Sequence, residues 1–328
     1  LVELVSFPVY TESLAEYADM DEFVQSIRAL GCDGVEAIWG GDDMWKTLPP
    51  GFELGYHLVF YPDWLDFWRG DEEALLKKFG SRKAYAAFYG RADRRTLVEQ
   101  YCADLTRAEA LHVQYAVYHV SDVSIEEGYT YRWLHSDEDV IDAAAELINE
   151  ALGGREPPFR ILVENQWWPG FRFTEPRLTE RLLSALHFEN KGILLDVGHL
   201  MNTNTALRSQ REGADYILKM LEAHGSLSKC IKAVHLHQSL SGEYVRTHTG
   251  MLPAVLAQDY ISRFGDSYGH ILQIDRHMAW TDPCVREVVE RIAPDFLTHE
   301  LSSRTRAVRE KDIAIQRAAL YGAKKQGS

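Results

Sequence analysis

Cysteine is scarce and scattered: Cys32, Cys102, Cys230 and Cys284 stand far apart along 328 residues, with no C-x-x-C pair. That spacing excludes a disulfide framework and a thiolate zinc site, and it fits a reduced, cytosolic protein. Positive charge is also short. The chain carries 35 Lys and Arg against 49 Asp and Glu, a net charge of −14, so no general basic field draws in a polyanion and nucleic acid is an unexpected partner. No apolar run approaches the roughly 20 residues that span a bilayer, so no membrane partner is expected, and the opening LVELVSF reads as a strand rather than a signal peptide. A glycine-rich phosphate turn is missing after that strand, where FPVYTES stands instead, which argues against an open doubly wound sheet. There is no internal repeat and no low-complexity segment.

What is present is alternation. Short apolar runs at Leu1–Ser6, Gly34–Ile38, Leu54–Phe60, Tyr115–His119, Ile161–Glu164, Ile193–Asp196, Ala233–His237 and Phe296–Glu300 read as eight strands. Between them, apolar residues recur at helical spacing in Asp21–Leu30, Thr96–Leu111, Asp137–Leu152, Glu175–Leu186, Gly213–Ala223, Asp282–Ile292 and Thr305–Tyr321. Strands alternating with helices predict an α/β fold, a (β/α)8 TIM barrel filling one domain over residues 1–321, with 322–328 as a disordered tail. Two connections, Tyr61 to Asp93 after strand three and Ser239 to Trp280 after strand seven, are too long for simple turns and are expected to form lids or substrate walls.

The chemistry gathers where the apolar runs end. His57, His119, Glu164, Asp196, His199, His235, Asp275, His277 and Glu300 all bear metal-capable side chains, and a closed barrel brings such strand ends to one rim. In Asp196-Val-Gly-His199 a carboxylate and an imidazole suit zinc, manganese or iron; the plainer alternative is an Asp that caps the next helix. Glu164 closes ILVEN and Glu300 closes FLTHEL, where a bare buried carboxylate is costly and needs a metal or an interior Arg or Lys. His235-Leu-His237 puts two imidazoles on one side of a strand, and Asp275-Arg-His277 repeats that spacing with a carboxylate. His57 and His119, taken singly, read as satisfied core histidines; their shared location favours ligation.

Taken in order, GYHLVF, YAVYHVSD, ILVENQ, LLDVGHL, AVHLHQ, IDRH and LTHEL resemble the xylose isomerase-like barrel superfamily, and within it the endonuclease IV branch, AP endonuclease family 2, over nearly the whole chain. The resemblance implies that those nine residues hold up to three zinc ions. Single-metal sugar isomerases and epimerases of the superfamily match only at Glu164, Asp196, His235 and Glu300, which implies one Mn²⁺, Co²⁺ or Mg²⁺. The chain departs from the pattern in two loops: Val120-Ser121-Asp122 replaces a glycine-containing turn, and Gln166-Trp167-Trp168-Pro169-Gly170 replaces a small-residue stretch. The interval from His235 to Asp275 is also longer than the family's, which leaves His248 as a rival ligand to Asp275 and His277.

All eight tryptophans, Trp39, Trp45, Trp64, Trp68, Trp133, Trp167, Trp168 and Trp280, fall in connections that follow strands, none of them expected inside a helix. They predict an aromatic mouth over the metals, with Trp39, Trp64, Trp167 and Trp168 on substrate; the alternative is that they pack small cores of their own. His237, His248, Arg246 and Arg276 are further substrate-binding candidates, with Arg172 a third guanidinium near the rim. Arg276 has the plainer alternative of pairing a site carboxylate, and Arg91–Arg95 reads as a solvated surface.

The leading expectation is a metal-dependent hydrolase acting on a phosphoester-like bond of a small organic substrate, possibly sugar-containing or aromatic, with Glu164, Glu300 and His199 as catalytic residues. Its rivals are a single-metal sugar isomerase or epimerase, a DNA-repair endonuclease, and a metal-free binding barrel.

Overall fold

A computed structural model of the chain describes residues 1–254, 257, 259–303 and 305–322. Eight parallel strands close into a barrel in sequence order: β1 Val2–Val9, β2 Gly34–Trp39, β3 Glu53–His57, β4 Tyr115–His119, β5 Arg160–Glu164, β6 Lys191–Asp196, β7 Ile231–Leu236 and β8 Phe296–His299, with β8 pairing back onto β1. The fold is a (β/α)8 TIM barrel. The open-sheet alternative is excluded by that closure.

Period-two alternation builds the site. Leu4, Tyr115, Val117, Leu162, Leu194, Ala233 and Phe296 fill the barrel as one apolar plug. Two residues beyond Val117, Leu162, Leu194 and Ala233, on the same face of each strand, stand His119, Glu164, Asp196 and His235. The plug is therefore a floor. Whatever follows it by two positions projects into the top of the barrel, and there the chain carries imidazoles and carboxylates.

The helices pack outside, their apolar faces joined to the outer faces of the strands in one large cluster and a smaller one around β1 and β2. The seven expected helices are all present within a few residues, and Asp137–Leu152 matches to the residue. Two differences concern the long connections. The stretch after β3 folds into three short helices, Leu65–Arg69, Glu72–Phe79 and Arg82–Tyr89. The stretch after β7 contains Gly242–His248 and Tyr260–Ile274. Trp68 accordingly sits inside a helix, against expectation, with its indole N–H donating to Glu146 Oε2 at 3.0 Å. β1 runs through Pro8 to Val9 because it follows β2 as far as Trp39, whereas β3 stops at His57. No helix among the described residues is long and apolar enough to cross a membrane. The expected tail lies outside the described residues except for Gly322.

Candidate metal centre

Ligand-type atoms assemble at the top of the barrel in three groups: His57, His119 and Glu164; Glu164, Asp196, His235 and Glu300; and His199, His237, Asp275 and His277. Within each group they lie within 4.8 Å of one another, and the first two groups share Glu164. Its Oε2 lies 2.8 Å from His119 Nε2 and 3.4 Å from His57 Nε2, and its Oε1 lies 3.2 Å from His199 Nδ1 and 3.4 Å from His235 Nδ1. One carboxylate thus touches side chains of all three groups.

Local structure explains how short motifs reach this place. Asp196 ends β6 and caps the helix Val197–Asn202, its Oδ1 accepting the His199 backbone N–H at 2.6 Å while its Oδ2 stays with His237 Nε2 at 2.9 Å. Cap and candidate ligand are the same residue, so the two sequence alternatives coexist. Gly198 is required between them, because a Cβ there would fall 2.0 Å from the His237 ring. Asp275 is not at a strand end: it caps the C-terminus of Tyr260–Ile274. Its segment is fastened to the end of β7 by the Gln238–Met278 bridge, with backbone bonds of 2.8 and 3.1 Å. His277 adopts a left-handed φ of 43°, an uncommon conformation for a residue with a Cβ. There its Nε2 lies 2.6 Å from Asp275 Oδ2 and its ring stacks 3.9 Å from that of His237.

A cation fits this donor set. Glu164 Oε2, His235 Nδ1, Asp275 Oδ1 and Glu300 Oε2 are buried without an aligned hydrogen-bond partner, although His235 Nδ1 and Glu300 Oε2 are only 2.9 Å apart. Lone pairs that approach closely without lining up on each other are disposed toward a common point rather than toward a shared proton. Among the described residues, Glu164, Asp196, Asp275 and Glu300 pair only with histidines, so the interior Arg or Lys that would have neutralised them is not found there. Burial alone would raise the Glu164 carboxyl, but the His119 and His235 imidazoles offset it and hold the group well below its ordinary value. Burial holds His119 below the usual imidazole range despite Glu164. His277, lowered by burial but raised more by Asp275 and Glu300, is pushed up to about 9.

Glu36 was not visible as a site residue. It sits fully buried in mid-strand β2, accepting from His235 Nε2 at 2.8 Å, Tyr115 Oη at 2.6 Å and Thr298 Oγ1 at 3.2 Å. An acceptor behind the imidazole fixes which nitrogen faces the cluster. The signal was there in GVEAIW, a lone carboxylate inside an apolar strand. A further group, Glu3, Cys32 and His299, is of another kind: the Arg317 guanidinium and Tyr321 hydroxyl already satisfy Glu3.

Above the centre opens a cavity of about 510 Å³, lined in part by His57, His119, His199, Asp275, His277 and Glu300. Trp167 and Trp168 line it too. The other substrate candidates stand elsewhere. Trp64 is buried with its indole on the Ser121 carbonyl, and Trp39 lies under the Arg107 guanidinium at 4.0 Å. His248 is exposed and stacked on Tyr244, Arg246 donates to the Thr205 carbonyl, and exposed Arg276 is outside the lining. Arg172 pairs with Asp137. The mouth is not built from tryptophans generally, because most are consumed in packing the connections. His237 is drawn into the third group, and Asp275 and His277, not His248, complete it.

No protein-family profile matches the chain, and no curated protein matches it in sequence. Among solved structures it is similar to endonuclease IV from Thermus thermophilus, at 17% identity over 98% of this chain and 100% of that one, with a TM-score of 0.50. It is similar to the IOLI protein with a binding zinc atom, at 13% identity over 96% of each chain and a TM-score of 0.51. An L-ribulose 3-epimerase aligns at 11% identity over 96% of this chain and 94% of that one, with a TM-score of 0.50. The likeness to these structures is one of fold, a barrel aligned over nearly the whole chain.

Proposed function

We propose that the protein is a multinuclear metal-dependent hydrolase that cuts a phosphoester-like bond of a small organic substrate. The observation that carries this reading is the sharing of Glu164: two ligand groups meet on its carboxylate and the third touches it through His199. His57, His119 and Glu164 would hold one ion, Glu164, Asp196, His235 and Glu300 a second, and His199, Asp275 and His277 a third. Bound divalent ions lower the pKa of water, orient the leaving oxygen and neutralise developing charge. The protein's own part is positional. Glu36 fixes His235, the Asn165 carbonyl lies 3.0 Å from His199 Nδ1, and the Glu300 carbonyl lies 3.2 Å from His277 Nδ1. The net reaction adds one water: its oxygen bonds to phosphorus, the ester P–O bond breaks, and a proton ends on the leaving oxygen. The four free cysteines suit a reducing, cytoplasmic location.

The second reading is a single-metal isomerase or epimerase of a sugar or sugar phosphate, favoured by the completeness of the Glu164, Asp196, His235 and Glu300 group taken alone. Metal analysis of protein purified without chelator separates the two. About three zinc equivalents per chain is the expected result; one equivalent of manganese or cobalt moves the assignment to the isomerase, and no stoichiometric metal overturns both. A nuclease role is disfavoured by the net charge of −14 and by a cavity lining in which no Lys or Arg occurs among the described residues. Tight binding of abasic duplex DNA at physiological salt would restore it.

A further inference from the structure

The cavity walls say what kind of molecule the centre receives. Phe60 lies against the candidate ligand His119 with ring centroids 4.0 Å apart, and Trp167 stands 5.1 Å from His199. The helix Tyr260–Ile274 gives the cavity Tyr260, Phe264, Tyr268 and Ile271, spaced as one helical stripe, and Leu272 beside them. Tyr268 is 60% exposed, Leu272 42% and Phe60 41%, so the apolar lining continues out to the mouth instead of ending at a polar rim.

Several polar side chains on the walls are already engaged with the protein. Ser124 Oγ donates to Glu127 at 2.6 Å, Ser267 Oγ donates to the Phe264 carbonyl at 2.8 Å, and His270 lies between Tyr244 Oη and the Gly128 carbonyl at 3.0 and 3.1 Å. Trp168, more than nine-tenths buried, has an indole N–H with no aligned hydrogen-bond acceptor, whereas the Trp167 indole lies by the Tyr131 hydroxyl; Tyr129, Tyr268 and Ser302 bring further hydroxyls to the lining. A sugar ring needs several partners for its hydroxyls, and these walls offer chiefly apolar surface, with only a few free polar groups set in it.

Resting on the hydrolase reading for the floor of the site, the geometry points to a substrate with a flat apolar body, an aryl group foremost, that carries its oxygen-rich head down to the metal centre. The aryl part packs on Phe60 and on the Phe264, Tyr268 and Ile271 stripe; an acceptor on it takes the Trp168 indole N–H. The substrate class is thus an aryl or comparably apolar ester, not a phosphorylated sugar and not a nucleic acid strand.

Two probe pairs test this on the full chain, read by tryptophan fluorescence and calorimetry. On metal-loaded protein, phenylphosphonate binds at least tenfold more tightly than methylphosphonate, and more tightly than ribose 5-phosphate. On chelator-treated protein, benzamide is bound in preference to acetamide, a comparison that needs no metal. The variant Tyr268→Ser with Leu272→Ser, at exposed positions, keeps its melting temperature and metal content but loses most of the aryl preference. Equal affinities within both pairs, or tighter binding of ribose 5-phosphate, overturn the inference. A protein that prefers benzamide yet binds no metal overturns the hydrolase reading alone.

Discussion

Glu36→Gln isolates the contribution of a residue that touches no substrate. Glu36 and His235 are both fully buried, 2.8 Å apart, so solvent does not screen the pair. The carboxylate can only accept, which keeps a proton on Nε2 and turns Nδ1 toward Glu164, Asp196 and Glu300, at 3.4, 3.7 and 2.9 Å. Glutamine preserves shape and removes the charge. If its amide NH2 faces the ring, the Nδ1 lone pair is lost to the opposite tautomer; if its oxygen does, a charge-assisted bond becomes a neutral one of about half the strength. Loss of such a partner typically weakens metal binding roughly 10- to 100-fold, about 1.4 to 2.8 kcal/mol. Competition between the protein and a coloured chelator for Zn²⁺ measures it, with circular dichroism and melting as controls. One equivalent should weaken by that factor and the others by less than threefold. An E36Q protein that is folded and binds every equivalent within twofold of the parent would refute the reasoning.

Three further outcomes are expected. Glu53 is buried with both carboxylate oxygens unpartnered, and burial pushes it up to about 8. The folded chain therefore holds this proton where the unfolded chain has released it, and stability falls by about 1.4 kcal/mol per pH unit as pH rises from near 4.5 toward 8. Denaturant titrations across that window should show this decline flattened in Glu53→Gln, which should be more stable than the parent at pH 8; an unchanged slope would count against it. Lys78 Nζ lies 2.7 Å from both Asp63 and Asp66, all three largely buried, so Lys78→Met should cost on the order of 3–5 kcal/mol by removing the cation from Asp63 and leaving Asp66 to His135 alone, with much of the loss recovered when both become Asn. In Gly198→Ala the new methyl meets the His237 ring; a loss of about 1–3 kcal/mol, together with depletion of the metal held by the His199 group, is expected in unfolding and metal-content assays.

The barrel was legible because its signals are local: apolar runs of four to six residues, helical spacing between them, and a polar group closing each run. The three short helices after β3 were legible too, though unread. Gly70, Gly80 and Gly90 stop them at left-handed φ of 70°, 79° and 88°, and Asp71 and Ser81 cap the next starts, a ten-residue rhythm of stop and cap. The tryptophans misled because lying in a connection says nothing about direction: Trp68 and Trp280 are almost wholly buried, and the Trp280 indole holds the His237 carbonyl at 2.8 Å. Glu36 was missed because its partners lie 79, 199 and 262 positions away, a proximity that only closure of the cylinder creates.

The Gln238–Met278 bridge has a consequence for how this centre can change. Five metal-capable groups, His57, His119, Glu164, Asp196 and His235, come with the strands themselves and persist as long as the cylinder does. Asp275 and His277 arrive on an excursion tacked down beside them by three backbone bonds, two with Gln238 and one from the Ser302 N–H to the His277 carbonyl. That excursion also carries the aromatic stripe of the cavity. Grafting a different segment between residues 239 and 280 would therefore exchange two of the ligands we propose for the third ion and the proposed aromatic wall in a single move, leaving the strand-borne groups intact: on the proposed reading, nuclearity and selectivity travel as one cassette.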